Sequence, residues 1–226
     1  MSDLELLSTV PIFIGLRSTD LEELHSHMSK RAYSKDQIIL MEDEFGDTFF
    51  IISKGSIKVT RLSEDGREVI LAILGQGDFF GEMSLLDGET RSANAISNDN
   101  CEVMILKRHD FLRFLEKFPK IAISLLTELA GRIRKSDQQI ESFALSDAEQ
   151  RIGVTLLRLS EELGTIHKGV VRIKKLPYQQ DIANMAGTSR ETVSRMLKLL
   201  EEKDFISRRA HTLSILDYTK FRNAFM

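Results

Sequence analysis

The feature that most restricts the fold is a change of periodicity, from short extended runs broken by glycines to a long helical repeat. Between Ile38 and Leu106 the apolar residues cluster in Phe49-Phe50-Ile51-Ile52, Ile57-Lys58-Val59, Val69 to Leu74 and Val103 to Leu106. Gly46-Asp47, Lys54-Gly55, Asp65-Gly66 and Gly75-Gln76-Gly77-Asp78 separate them. Aromatic and β-branched residues suit a pleated surface, and glycine supplies the positive φ that tight hairpins need. Such punctuation predicts a small β sandwich or barrel. Before it, up to Lys30, the pattern is helical, with Asp20-Leu21-Glu22-Glu23-Leu24 following the turn-like Gly15 to Ser18.

Beyond Lys107 the helical period returns. Pro119 suits a first helical turn, where its missing N–H costs nothing. Leu126, Leu129, Ile133, Ser136, Ile140 and Phe143 follow at spacings of 3, 4, 3, 4 and 3, a heptad seam. One amphipathic helix on the β domain would satisfy this, but strict alternation favours a parallel two-stranded coiled coil. With Ile133 at a and Ser136 at d, Arg132 falls at g and would meet Asp137 of a second copy. Ser146-Asp147-Ala148-Glu149 has capping-box spacing, so the long helix is expected to break near Leu145. A helix from Ala148 to Leu163, a strand at Val170 to Ile173, two short helices and a hairpin from Phe205 to Leu216 complete an α+β pattern.

Composition sets bounds. An apolar share of 42% with 29% charged residues fits a globular chain of 226 residues with one or two domains. No run approaches the roughly 18 apolar residues of a membrane span, and no secretory leader is visible, so a cytoplasmic location and no membrane partner are expected. One cysteine, Cys101, excludes an intrachain disulfide and a cysteine-built metal site. His25, His27, His109, His167 and His211 show no metal-site spacing, and no catalytic constellation stands out. No metal, no cofactor and no enzyme activity are expected. The net charge of −3 hides a basic block, since Lys168 to His211 holds ten Lys/Arg against five Asp/Glu. That block suggests a polyanionic partner.

Two constellations carry chemistry. Gln179 to Ala186, the turn at Gly187 and a helix capped by Thr188, with Glu191 completing a capping box, form a helix-turn-helix pattern. Its second helix would present Arg190, Glu191 and Arg195 to base edges, because arginine forks bond guanine and glutamate accepts from cytosine. Thr188, Ser189 and Lys198 would bind phosphates. Val193, Met196, Leu197 and Leu200 would pack inward. The other constellation is Phe79-Phe80-Gly81-Glu82-Met83-Ser84-Leu85-Leu86 followed by Arg91-Ser92-Ala93. Glycine allows close backbone approach, an arginine fork with a hydroxyl suits a phosphate, and a glutamate accepts from a sugar hydroxyl. Together they describe a sugar-phosphate ligand; a Glu82–Arg91 salt bridge closing a β turn is the alternative.

The segment from Gln180 to Ile206, with Ser189-Arg190-Glu191-Thr192-Val193-Ser194-Arg195, closely resembles the recognition region of the cAMP receptor protein (CRP/FNR) family. Gly81 to Leu86 with Arg91-Ser92-Ala93 resembles the phosphate cassette of cyclic nucleotide-binding domains, and the likeness runs from about Phe13 to Leu216. It implies an N-terminal β-roll cyclic nucleotide-binding domain (1–118), a long dimerisation helix (119–145) and a C-terminal winged helix-turn-helix domain (146–226). By the same resemblance Gly81, Glu82, Met83, Ser84, Arg91, Ser92 and Ala93 hold the ligand. Glu82 would take the ribose 2′-hydroxyl, Arg91 and Ser92 the cyclic phosphate, and Arg132 a further phosphate contact. A homodimer would read a TGTGA-like palindrome through Arg190, Glu191 and Arg195, with Arg208, Arg209 and His211 in the wing, and RNA polymerase as a further partner. The expected effector is cAMP; where the enteric cAMP receptor protein carries Thr-Ser at the adenine, this chain has Ser136-Asp137, which keeps cGMP and a cyclic dinucleotide as alternatives. A cyclic-nucleotide regulatory subunit of an enzyme or channel, and a ligand-independent factor with a vestigial pocket, are the competing functions.

Overall fold

In the computed structural model, which describes residues 2–225, the glycine-punctuated region forms two four-stranded antiparallel sheets. One joins β1 (Ser29–Tyr33), β8 (Cys101–Lys107), β3 (Thr48–Lys54) and β6 (Phe79–Phe80) in that order. The other joins β2 (Ile38–Leu40), β7 (Asn94–Ser97), β4 (Ile57–Leu62) and β5 (Glu68–Leu74). Successive strand side chains point to opposite faces, and β3 uses both. Phe50 and Ile52 face a core shared with Ile57 and Ala95 of the other sheet. Phe49 and Ile51 face a second core under α1 (Asp3–Thr9), α2 (Ser18–Ser26), α4 (Arg108–Lys117) and α5 (Pro119–Leu145). There the rings of Phe49 and Phe111 stack at 4.6 Å. The short α3 (Met83–Asp87) follows β6. The chain forms two compact units, one ending at Arg134 and the other beginning at Lys135.

The Asp65-Gly66 turn is wider than a two-residue hairpin: the Ser63 N–H donates to the Arg67 carbonyl, with Gly66 at φ 81. Strand β1 begins inside the stretch expected to be helical. Its side chains are exposed except Tyr33, so it has no apolar alternation to reveal it.

Helix α5 divides the residues of the expected heptad between two environments. Leu126, Ile133 and Ile140 are exposed at 66%, 62% and 65%, but Leu129 packs against the helix-covered core with Ile121 and Leu125. The spacing expected as one seam therefore mixes two apolar faces. Leu126, Ile133 and Ile140, joined by the exposed Ile123, keep a sevenfold repeat of their own. Arg132, expected to meet Asp137 of a second copy, is bonded to Glu82 of its own chain at 2.8 Å.

The second unit contains α6 (Ala148–Leu163), β9 (Gly164–His167), β10 (Val170–Ile173), α7 (Gln179–Ala186), α8 (Arg190–Glu202), β11 (Ile206–Arg209), β12 (Thr212–Ile215) and α9 (Tyr218–Phe225). Its sheet runs β11-β12-β10-β9. The cap of α6 is Asp147, whose carboxylate accepts from the Gln150 N–H at 2.8 Å, one residue later than the capping-box spacing placed it. Ile152, Leu156, Leu159, Ile182, Val193, Leu197, Leu213, Ile215 and Phe221 are buried here. Among the described residues no helix is long and apolar enough to cross a membrane.

Candidate functional site

Strand β6 ends at Phe80, and Gly81, at φ 82, turns the chain toward α3. The turn buries Glu82 to 2% exposure. Its Oε1 accepts from Arg132 Nη1 at 2.8 Å, while Oε2 is buried with no donor among the described residues. Arg132 also donates to the Phe79 carbonyl at 2.7 Å, and its guanidinium carbon lies 4.5 Å from the centre of the Phe79 ring. Glu82 thus pairs with Arg132, and not with Arg91 in the turn-closing salt bridge considered above.

Arg91, only 4% exposed, is held by its own chain. Nη1 donates to the Gly81 carbonyl at 2.7 Å and to Ser84 Oγ at 2.8 Å; Nη2 donates to the Thr48 carbonyl at 2.8 Å and to Thr48 Oγ1 at 3.2 Å. Its Nε is buried without an acceptor. Burial holds the guanidinium below its ordinary pKa, against the opposing charges of Asp47 and Glu82. Two glycines make room: a Cβ on Gly46 would sit 1.9 Å from Arg91 Nε, and one on Gly81 2.9 Å from Nη1. Gly81, Glu82, Ser84, Arg91 and Arg132 are therefore assembled in one place. Ser92 and Met83 are exposed, with Ser92 Oγ 3.6 Å from Met83 Sδ, and Ala93 is half-buried. Ser136 and Asp137, beyond the unit boundary, are exposed on α5. Sequence reasoning missed Thr48, whose contribution is partly backbone, and saw Gly46 only as a turn residue. A buried carboxylate oxygen wanting a donor, beside a guanidinium with a buried N–H wanting an acceptor, fits a ligand with both a hydroxyl and an anionic oxygen.

In the second unit, Val193, Met196, Leu197 and Leu200 of α8 are buried, at 5% exposure or less. Ser189, Arg190, Glu191, Ser194, Arg195 and Lys198 are exposed. Helical spacing produces this division; Ser194 is the member not anticipated. The cap is Ser189, not Thr188: Ser189 Oγ accepts from the Thr192 N–H at 3.2 Å, and the Thr188 N–H goes instead to the Ala183 carbonyl. Glu191 consequently stands outside a capping box. Its carboxyl lies below the usual range, held by its own backbone N–H and then by the Ser189 hydroxyl. It is an acceptor on the exposed face of α8. In the wing Arg209 is exposed, as is His211. Arg208 was expected beside them and instead turns inward to Glu201.

Arg151, on α6, holds the turn between α7 and α8. Its Nε and Nη2 donate to the Ala186 and Gly187 carbonyls at 2.8 and 3.1 Å, and Nη1 to the Ser146 carbonyl at 2.8 Å. Gly187, at φ 58, also lies so near Phe143 that a Cβ would be 2.8 Å from the ring. The last turn of α5 and the helix-turn-helix corner thus share one arginine.

Residues 30–118 match the cyclic nucleotide-binding domain family, and residues 150–224 the Crp-like helix-turn-helix domain family. The two together define a DNA-binding transcription regulator with a cyclic nucleotide-binding domain. The cAMP-activated global transcriptional regulator CRP of Pasteurella multocida is 36% identical over 88% of this chain and 94% of its own length. The cyclic AMP receptor protein of Thermus thermophilus is 32% identical over 87% and 88%. A solved c-di-GMP-responsive global regulator of Xanthomonas campestris superposes with a TM-score of 0.74 at 23% identity, over 88% of this chain and 99% of that one, a likeness of fold. The chain belongs to the CRP family of cyclic nucleotide-binding transcription regulators. Among the described residues no group of three or more His, Cys, Asp or Glu side chains could hold a metal.

Proposed function

We propose that the protein is a cytoplasmic homodimeric regulator that cAMP switches on to bind a TGTGA-like palindrome and engage RNA polymerase. Residues 1–118 would sense, 119–145 dimerise and 146–226 read DNA. The observation that carries the ligand reading is Glu82 Oε2, a buried oxygen without a donor beside the buried Arg91. A ribose 2′-hydroxyl supplies the donor, and a cyclic phosphate supplies acceptors to Arg91, Ser92 and Arg132. Gly81, Met83, Ser84 and Ala93 line the same turn, and Ser136 and Asp137 would meet the base. Arg190, Glu191 and Arg195 would read bases; Thr188, Ser189, Lys198 and Arg209 would hold phosphates. The cAMP-activated relatives at 32% and 36% identity support cAMP. The exposed repeat of Leu126, Ile133 and Ile140 supports the dimer, since a contiguous apolar stripe on a charged helix is a contact surface.

A cyclic dinucleotide is the second reading. The likeness of fold to the c-di-GMP-responsive regulator suggests it, and Asp137 can accept from the N–H groups of guanine in cGMP and c-di-GMP alike. Titration calorimetry with cAMP, cGMP and c-di-GMP decides. The expected result is binding of cAMP, weakened roughly tenfold or more by Glu82→Gln, in line with loss of a charge-assisted hydrogen bond. Tighter binding of c-di-GMP would transfer the role to it. No binding, with high DNA affinity of the free protein, would leave a vestigial pocket and sink the gating.

A further inference from the structure

Arg208 lies in the wing, where a basic side chain would ordinarily be counted as a phosphate contact. Strand periodicity argues otherwise. In β11, Ile206 is buried and Arg208 half-buried, paired across the hairpin with the buried Ile215 and Leu213; Ser207, between them, and Arg209, after them, are exposed. Alternation therefore points Arg208 to the core side and Arg209 outward.

The inward face has a receptor for it. Glu201, near the end of α8, accepts at Oε2 from Arg208 Nη2 at 2.6 Å and at Oε1 from the Arg208 backbone N–H at 3.0 Å. One carboxylate thus grips both the strand backbone and the side chain. Arg208 Nε is buried and has no acceptor among the described residues, although 28% of the side chain is exposed. Among the described residues Arg209 has no such tether, and its side chain is exposed. The connection between α8 and β11 is short, with Asp204 at a left-handed φ of 54. The Glu201–Arg208 pair adds a second link from the recognition helix to the wing.

We propose that Arg208 is a positioning residue, which with Glu201 fixes the wing's seat on the recognition helix, and that Arg209 carries the wing's phosphate contact. This rests on DNA binding by the helix-turn-helix domain but not on the identity of the effector. A phosphate contact and a brace leave different signatures. Each neutralised phosphate contributes about 0.9 to the slope of log affinity against log salt, and a brace contributes nothing to it.

The test measures binding of the full chain, in the presence of cAMP, to a duplex the wild type selects from a random library. If nothing is selected, the cAMP reading fails, and salt slopes for non-specific duplex binding still decide this proposal. Arg209→Ala should lower the slope by about 0.9. Arg208→Ala should leave the slope unchanged and weaken binding on the order of fivefold, the scale of a half-exposed ion pair. The exchange Glu201→Arg with Arg208→Glu should recover most of that loss, and thermal unfolding of each variant checks that the domain stays folded. A slope reduced by Arg208→Ala as by Arg209→Ala would overturn the proposal. So would wild-type affinity in Arg208→Ala, or an exchange variant that folds and binds no better than Arg208→Ala. Should Arg208→Ala unfold, Arg208→Met supplies the same comparison with the packing kept.

Discussion

Gly46 shows how narrow the tolerances are at the sensor. Its missing Cβ leaves the space in which the Arg91 guanidinium lies, and that guanidinium is pinned by Thr48, Gly81 and Ser84. Gly46→Ala must push it off those partners. Loss of its charged hydrogen bonds predicts cAMP affinity lower by roughly tenfold, with an unaltered circular dichroism spectrum. Unchanged affinity by calorimetry would mean that Arg91 does not hold the phosphate. Glu201 gives a pH signature. The Arg208 side chain holds its carboxyl below the usual range, so its stabilisation is complete above roughly pH 4.3 and is lost as pH falls through the depressed value. The stability advantage of wild type over Glu201→Gln, at most about 1 kcal/mol, should be constant at neutral pH and shrink in acid. An advantage in urea unfolding that persists undiminished near pH 2 would contradict the pairing. Residue types at the two sites were legible because phosphate, ribose and base edges demand few chemistries. Directions were not: Arg208 and Arg209 are adjacent and identical, and only the pairing register separates them.

Among the elements, the strongly periodic ones were legible and the exposed ones were not. The runs Phe49 to Ile52 and Val103 to Leu106 belong to central strands buried on both faces, and Gln179 to Ala186 became a helix with the same bounds. Strands β1 and β9 carry too few buried residues to leave a pattern. In helix α5 two apolar faces interleave at helical spacing, and only packing assigns Leu129 to one of them. The capping shifts at Asp147 and Ser189 have a common cause. Neighbouring polar residues could each cap, and the backbone torsions choose. Arg151 was invisible beforehand because its partners are carbonyls. Arg151→Ala leaves the carbonyls of Ser146, Ala186 and Gly187 without it, which predicts a loss of about 2 kcal/mol in urea unfolding. A loss below about 0.5 kcal/mol would show that water replaces the guanidinium at no cost.

For the molecule as a whole, both constellations read from the sequence fall in separate units, a sensor before Arg134 and a reader after Lys135. What the sequence could not display is that the sensor's groups are already bonded to their own chain, Glu82 to Arg132 and Arg91 to two carbonyls. Such contacts join residues far apart in sequence. The proposed symmetric reader would require two copies, and the exposed stripe of α5 would be its seam. Ile133→Asp combined with Ile140→Asp should give a monomer in sedimentation equilibrium; a dimer that persists would place the interface elsewhere. The central claim is that a nucleotide at Glu82 and Arg91 governs DNA binding. It is tested most directly by operator affinity with and without saturating cAMP, in the wild type and in Glu82→Gln. Gating predicts that cAMP tightens wild-type binding roughly 5- to 150-fold, the usual span of allosteric coupling, and that Glu82→Gln needs roughly tenfold more cAMP to reach the same effect. Equal affinity with and without cAMP in the wild type would contradict it.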